Sequence, residues 1–446
     1  MKILFLAHRI PFPPDKGDKI RSYQTLKYLA ARHEVHLVCL IDNKRDLRAA
    51  EELRRTLPHL VYEELRPMPQ RLRMITALYQ NRPLTVSYFY LPRLQRKLDA
   101  LVARERFEAL FVYSSTMAEY VRDAKIPKRI MDFCDLDSQK FKQYAEVSAP
   151  PFSWLYRFEG RRLARYEREA ARNFEHVLFI NPEERLLFEQ NRGGKNTALM
   201  SNGVDFTQYE GSALPEASSE NPPPVASSKN SPLEGGQGGV ARNDEVEKFS
   251  CAKNTPRTPL KGGIAARPYL AFTGAMDYLP NVDAAFWCAR EIFPKLRAAV
   301  PELEFYIIGG NPSRKIRKLH DPHNGIHVTG YLPDLRPLLK GARVFIAPMR
   351  IARGMQTKIL EAMACNVPVV TSANAARGIG AKPEHELLIA GTAAEYVEQV
   401  LRLLRPHEEH ERLRRRALAF LRAQFDWEKN LAVLDRLLRE NSPYRT

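Results

Sequence analysis

Two segments of the chain combine cations, a carboxylate and a helix start at spacings that suit phosphate and sugar chemistry. In the segment Arg350 to Val370, Gly354 lets the backbone approach a ligand just ahead of a helix, on which Lys358 and Glu361 stand three residues apart. A cation beside a helix start suits a diphosphate, because the free N–H groups and the dipole there already favour anions. A carboxylate one turn deeper can accept both hydroxyls of a ribose. The same spacing also fits an exposed ion pair worth about 0.2–0.5 kcal/mol, and spacing does not choose between them. The second segment is Pro14-Asp-Lys-Gly17-Asp18-Lys19-Ile-Arg21, where one glycine precedes a helix and Lys19 or Arg21 can meet a phosphate. Its bland reading is a Pro-rich turn with solvated cations.

Three further groups follow apolar runs. Asp132, Asp135, Asp137 and Ser138 include an Asp-x-Asp run, a form able to hold Mg or Mn, but helix capping and acceptor positioning are the preferred reading and no metal is expected. Ser114 and Ser115 can contact an acceptor or cap the next helix. His8 ends the first apolar run and is either a polar group near a cleft or an ordinary loop histidine. Asp132, Asp135 and His8 are the candidates for catalytic proton transfer. No Gly-x-Gly-x-x-Gly and no phosphate-binding kinase loop follows the first apolar run of either half, which argues against a dinucleotide oxidoreductase or a kinase.

The elements that must position these groups alternate. Strands are predicted at Lys2 to Ala7, Glu34 to Ile41, Ala109 to Tyr113, Arg129 to Phe133 and Val177 to Ile180, with a helix from Lys19 to Arg32 and another starting at Asn181-Pro-Glu-Glu. Further on, strands are predicted at Tyr269 to Thr273, Glu304 to Ile308, Ile326 to Thr329, Val344 to Ala347 and Val367 to Thr371. Helices are predicted at Val282 to Phe293, Leu335 to Lys340, Thr357 to Cys365, Glu408 to Gln424 and Trp427 to Asn441. Short apolar strands between amphipathic helices specify parallel sheets covered on both faces, whose ligands bind at the carboxyl ends of the strands. The fold class is α/β, with two facing Rossmann-like, doubly wound lobes. Residues 211–266 are rich in Pro, Gly and Ser, contain Phe249 as their only aromatic, and nearly repeat Pro-Leu-x-Gly-Gly at Pro232 and Pro259. That composition predicts a disordered linker insertion. The domains expected are 1–210, rejoined by the last helix at 427–446, then the linker, then a second lobe at 267–426.

Lys358-Ile-Leu-Glu361-Ala-Met-Ala-Cys-Asn-Val-Pro368-Val-Val resembles the signature of retaining glycosyltransferases of family 4, which have the two-lobed GT-B fold. Ser201-Asn202-Gly203-Val204-Asp205 resembles their turn at the lobe junction, and Val328-Thr-Gly330-Tyr-Leu-Pro-Asp334 resembles a donor-lobe strand and loop. Phe272-Thr-Gly274-Ala-Met-Asp-Tyr-Leu-Pro-Asn281, with Asp132-Phe-Cys-Asp135-Leu-Asp137, resembles the sugar transferases of exosortase and exopolysaccharide systems. The resemblance implies Glu361 on the donor ribose, Gly274 and Ala275 as main-chain contacts to the diphosphate, and Tyr331 and Leu332 at the nucleobase. It also implies a metal-independent transfer with retention, no cofactor, a nucleoside-diphosphate-sugar donor, and a glycan or lipid-linked acceptor in polysaccharide or glycoconjugate biosynthesis. The chain departs from the pattern at Arg353, where an acidic residue is usual, and after Gly274, where Met276 and Pro280 replace basic residues. Arg350, Arg353 and Lys358 are therefore expected to supply the positive charge a departing diphosphate needs.

The formal charge is +17, from 69 Lys plus Arg against 52 Asp plus Glu, which attracts anionic partners. The five cysteines are scattered and odd in number, without metal-ligand or redox spacing. No apolar run approaches the roughly 18 residues that cross a bilayer, so the expected location is the cytoplasm. Trp154, Leu155 and Phe158 beside Arg157, Arg161 and Arg162 mark an anionic membrane surface as a candidate peripheral contact; nucleic acid is not the expected partner. Two rival readings are a sugar-nucleotide epimerase on the same fold, and a basic nucleic-acid or membrane-surface binding protein with a vestigial nucleotide site.

Overall fold

The computed structural model describes residues 1–14, 17–66, 74, 82–191, 194, 196–210, 267–352, 354–405 and 408–440. The linker expected over residues 211–266 lies outside them, as do Arg353 and residues 441–446.

Two parallel sheets organise the described residues. The first joins β1 (Lys2–Ala7), β2 (Glu34–Ile41), β3 (Leu60–Glu64), β4 (Ala109–Tyr113), β5 (Lys128–Cys134), β6 (His176–Phe179) and β7 (Thr197–Leu199) in the order β3-β2-β1-β4-β5-β6-β7. The second joins β8 (Tyr269–Thr273), β9 (Glu304–Ile308), β10 (Ile326–Gly330), β11 (Val344–Ala347), β12 (Val369–Thr371) and β13 (Leu388–Ile389) in the order β10-β9-β8-β11-β12-β13. Ile3, Leu4, Phe5, Leu6 and Ala7 are all buried, because apolar layers cover both faces of the first sheet. β8 and β11 sit equally deep in the core of the second lobe. In each sheet the winding direction reverses once, between β1 and β4 and again between β8 and β11. Loops leave in opposite directions at such a point and open a crevice at the carboxyl ends of the strands.

The structure adds strands that periodicity did not mark. β3 ends in Tyr62-Glu63-Glu64 at a sheet edge, and β7 is only three residues long. Neither forms an apolar run, because an edge strand needs to bury little. The helix expected at Val282 to Phe293 starts earlier, at Leu279, and passes through a π-type turn, Cys288–Ile292, into Phe293–Ala299. The last expected helix is two, Trp427–Leu431 and Val433–Arg439. Leu431, Leu434, Leu437 and Leu438 belong to the core of the first lobe, whereas Leu421 and Phe425 belong to that of the second.

The chain crosses between the lobes at residues 201–206 and 425–427, and these crossings touch. Val204 N–H donates to the Phe425 carbonyl at 2.8 Å, and Asn430 Nδ2 donates to the Asn202 carbonyl at 2.8 Å. A side chain on Gly203 would stand 2.5 Å from the Trp427 nitrogen, so the contact requires glycine. Among the described residues no helix is long and apolar enough to cross a membrane.

Candidate functional site

The carboxyl ends of β8 and β11 carry the second lobe's share of the site. β8 leads into Gly274, whose N–H donates to the Ile308 carbonyl at 3.0 Å. A Cβ at Gly274 would lie 2.5 Å from Asn281 Nδ2, and one at Gly309 would lie 1.7 Å from the Gly274 carbonyl oxygen. Glycine is therefore imposed at both positions by close packing. Asn281, in the helix Leu279–Trp287, donates Nδ2 to the Ala275 carbonyl at 3.0 Å and accepts at Oδ1 from Lys358 Nζ. Lys358 thus props the Gly274–Ala275 loop through one amide. Its ammonium also lies 5.0 Å from the Phe272 ring centroid.

Lys358 and Glu361 project from the helix Thr357–Ala364, which buries Ile359, Leu360, Ala362 and Met363 in the core. Each is half-buried, and Lys358 turns to Asn281 instead of forming the ion pair that spacing allowed. The Glu361 side chain has no hydrogen-bond or ion-pair partner among the described residues. Burial pushes its carboxyl up to about 7 against the pull of Lys358. Burial likewise lowers the Lys358 ammonium to about 7, with Glu361 opposing. Both groups are held away from their ordinary charge states, an arrangement that an anionic, hydroxyl-bearing ligand would relieve.

This helix faces the first lobe. Gly354, at φ +60 ahead of it, packs so closely that a Cβ would come within 2.9 Å of Asp135 Oδ2. Thr357 Oγ1 lies 3.5 Å from where a Gly17 Cβ would stand. Gln143 Nε2 donates to the Ala352 carbonyl at 3.3 Å, and the Tyr144 and Tyr278 hydroxyls meet at 3.1 Å. Tyr331 is exposed, with the Arg45 guanidinium of the opposite lobe 5.7 Å from its ring centroid, while Leu332 packs on the core beneath. Arg350 makes two bonds to Asp283 and stands over the Trp287 ring, so its charge is already matched.

The first lobe changes the reading of its basic loop. Arg21 and Asp132 are both fully buried and joined at 2.8 and 2.9 Å, with Arg21 Nη1 also donating to Asn202 Oδ1 at 2.9 Å. Neither side chain is available to a ligand, which corrects the expectations of a phosphate contact for Arg21 and proton transfer for Asp132. Lys19 is likewise buried, against Asp46 at 2.8 Å. The reason is the same for all three: the helix that Gly17 opens turns Lys19 and Arg21 inward, and each finds an acid from another element.

What remains near the β1/β4 crevice is mostly small or aromatic. His8 stacks on Tyr113 with centroids 5.7 Å apart and meets Phe89 edge-on at 5.6 Å. Its Nε2 lies 3.4 Å from Asp18 Oδ2, and its Nδ1 is buried without a partner. Asp18 also accepts from Arg9 Nη1 at 2.8 Å. Burial by itself would raise the Asp18 carboxyl, but His8 and Arg9 hold it well below the usual range. Ser115 Oγ is a second buried atom without a partner, while Ser114 Oγ meets Thr116 Oγ1 at 3.1 Å. Burial raises the Asp135 carboxyl, with Lys140 opposing, and Asp137 pairs with that lysine at 3.7 Å. Sequence reasoning assigned no role to Asn281, Asp283, Asn202 or Asp46. The lysines and arginines they hold lie 27 to 181 residues away along the chain, so no local spacing could reveal these pairings.

Residues 267–406 match the family model of group 1 glycosyl transferases. A phosphatidyl-myo-inositol mannosyltransferase of Propionibacterium freudenreichii is 29% identical over 167 residues, which cover 36% of this chain and 40% of that protein. The chain thus matches less than half the length of that curated relative. Among solved structures, sucrose-phosphate synthase from Thermosynechococcus elongatus superposes with a TM-score of 0.66 at 14% identity, covering 98% of each chain. Anabaena HepE in complex with UDP-glucose gives 0.62 at 13% identity, covering 98% of this chain and 99% of that one. Residues 267–406 therefore match the group 1 glycosyl transferase family model, within a chain whose two parallel-sheet lobes share the fold of these solved structures.

Proposed function

We propose that this chain transfers a sugar from a nucleoside-diphosphate donor, held by the second lobe, to an acceptor hydroxyl held by the first. The observation that carries the reading is Glu361: a half-buried carboxylate without a partner among the described residues, on a helix whose amino end meets the opposite lobe. Such a carboxylate fits a ribose diol, and the main chain at Gly274–Ala275 fits the diphosphate, held in place by Asn281 and Lys358. The matched Anabaena structure contains UDP-glucose, which supports a nucleotide-sugar donor. Tyr331 and Leu332 receive the nucleobase.

With Arg350 matched by Asp283, main-chain N–H groups and Lys358 carry most of the developing diphosphate charge among the described residues; Arg353, outside them, remains a candidate. The acceptor enters at the β1/β4 crevice, where His8 and Ser115 each hold a buried polar atom without a partner. His8, oriented through Asp18, and Asp135 are the candidates for receiving its proton. The transfer is read as metal-independent and retaining, on a glycan or lipid-linked acceptor of exopolysaccharide type. It is placed at the cytoplasmic face of a membrane, against which the exposed Phe152, Trp154, Leu155 and Phe158 beside Arg157 and Arg161 would rest.

The test is a melting-temperature screen against nucleoside diphosphates and their sugars, followed by product analysis with and without acceptor in EDTA. Stabilisation by one donor and transfer that Glu361→Ala abolishes are expected. Affinity for DNA or anionic vesicles with no response to any nucleotide would overturn the proposal.

A further inference from the structure

At the amino edge of the first sheet, opposite the crevice, one group of three potential metal ligands gathers, the one such group among the described residues. Glu34 opens β2 and His36 stands two residues along it, on the same face of the strand. His59 immediately precedes β3, and its carbonyl accepts from the Leu37 N–H at 2.8 Å, which sets it beside His36. Glu34 Oε1 lies 2.9 Å from His36 Nε2 and 4.0 Å from His59 Nε2, and all three ligand atoms lie within 4.8 Å of one another. The two imidazoles stack 4.1 Å apart at 7°, with Phe107 edge-on behind His36 at 5.2 Å.

We infer that Glu34, His36 and His59 form a binding site for a borderline divalent ion, of which zinc is the type, at the edge of the sheet remote from transfer. Two imidazole nitrogens and one carboxylate oxygen are a donor set that such ions prefer and that Mg or Ca, which seek oxygen, do not. A tetrahedral zinc with bonds of about 2.0–2.1 Å separates its ligand atoms by about 3.3 Å. The Glu34–His36 separation of 2.9 Å is near that value already. His59 must tilt out of its stack to close the remainder, which its half-exposed ring permits, and water completes the fourth position. His36 is the fixed member, only 3% exposed and backed by Phe107.

Lys2 Nζ occupies part of the carboxylate, at 3.2 Å from Glu34 Oε1, but it also holds Glu105 at 2.8 Å. The lysine therefore keeps a counter-ion when Glu34 turns to a metal. The crevice loops lie at the far end of the strands, roughly 20 Å away at 3.3 Å per residue. A bound ion would accordingly clamp the start of β2 to the residue entering β3 and take no part in sugar transfer.

The full chain, stripped of metal and kept in excess Mg, is titrated with zinc alone by calorimetry, and with cobalt alone while its visible bands are followed. One zinc bound tighter than about 10 μM, with cobalt bands of tetrahedral intensity, is expected. Glu34 and His59 are each about half exposed, so Glu34→Gln and His59→Ala fold normally, and each should weaken binding at least about tenfold. Zinc at ten times its Kd should raise the melting temperature of the unsubstituted chain by roughly 3–5 °C. Absence of zinc binding, or binding unchanged in either variant, overturns the three-ligand site.

Discussion

Replacing Glu361 with glutamine should stabilise the unliganded protein while weakening its hold on the donor. Burial moves the carboxyl from 4.5 up to about 7. At about 1.36 kcal/mol per pH unit, the displacement corresponds to about 3.4 kcal/mol borne by the native state once the group is ionised in the unfolded chain. Glu361 is only half-buried, and removing its charge also removes the anion that favours the Lys358 ammonium. A gain of about 1–2 kcal/mol is the working figure, roughly 2–6 °C in melting temperature. The sign follows from a raised acid. Below 4.5 both states are protonated and the substitution changes nothing; the gain grows as pH rises and is complete above about 7. Melts of both proteins from pH 4 to 8.5 read the stability, and calorimetry with the donor found by screening reads the function. Loss of charged hydrogen bonds to a ribose should weaken donor binding by about 1.5–3 kcal/mol, one to two powers of ten. An equal gain at pH 4, a less stable variant at pH 8, or undiminished donor affinity would refute the reasoning.

Gly274→Ala places a Cβ 2.5 Å from Asn281 Nδ2, so the amide must move and release both Ala275 and Lys358. Donor affinity should fall at least about tenfold in a protein that still folds, as read by calorimetry and circular dichroism. Arg21→Met strands the buried Asp132 carboxylate and should cost about 3–5 kcal/mol in urea unfolding, much of which Arg21→Met with Asp132→Leu should recover.

The two-lobed α/β architecture was legible from composition and period alone, because strands buried on both faces must be short, apolar and separated by helices. The same logic located the loops after β1, β4, β8 and β11, since a parallel sheet leaves its free N–H groups and helix starts at one edge. What a strand-and-helix pattern leaves open is where a long charged side chain ends. Lys19, Arg21 and Asp132 have the composition of a phosphate site, yet the fold uses them as internal ties, because each inward-turned charge needs an acid or base from another element. Lys358 and Glu361 have the spacing of an ion pair, yet tertiary contacts give the lysine to Asn281 and leave the carboxylate without a partner among the described residues. Local sequence determined which residues share a helix or a strand end. Only the packing of segments far apart in the chain decided which charges are satisfied within the protein and which remain for a ligand.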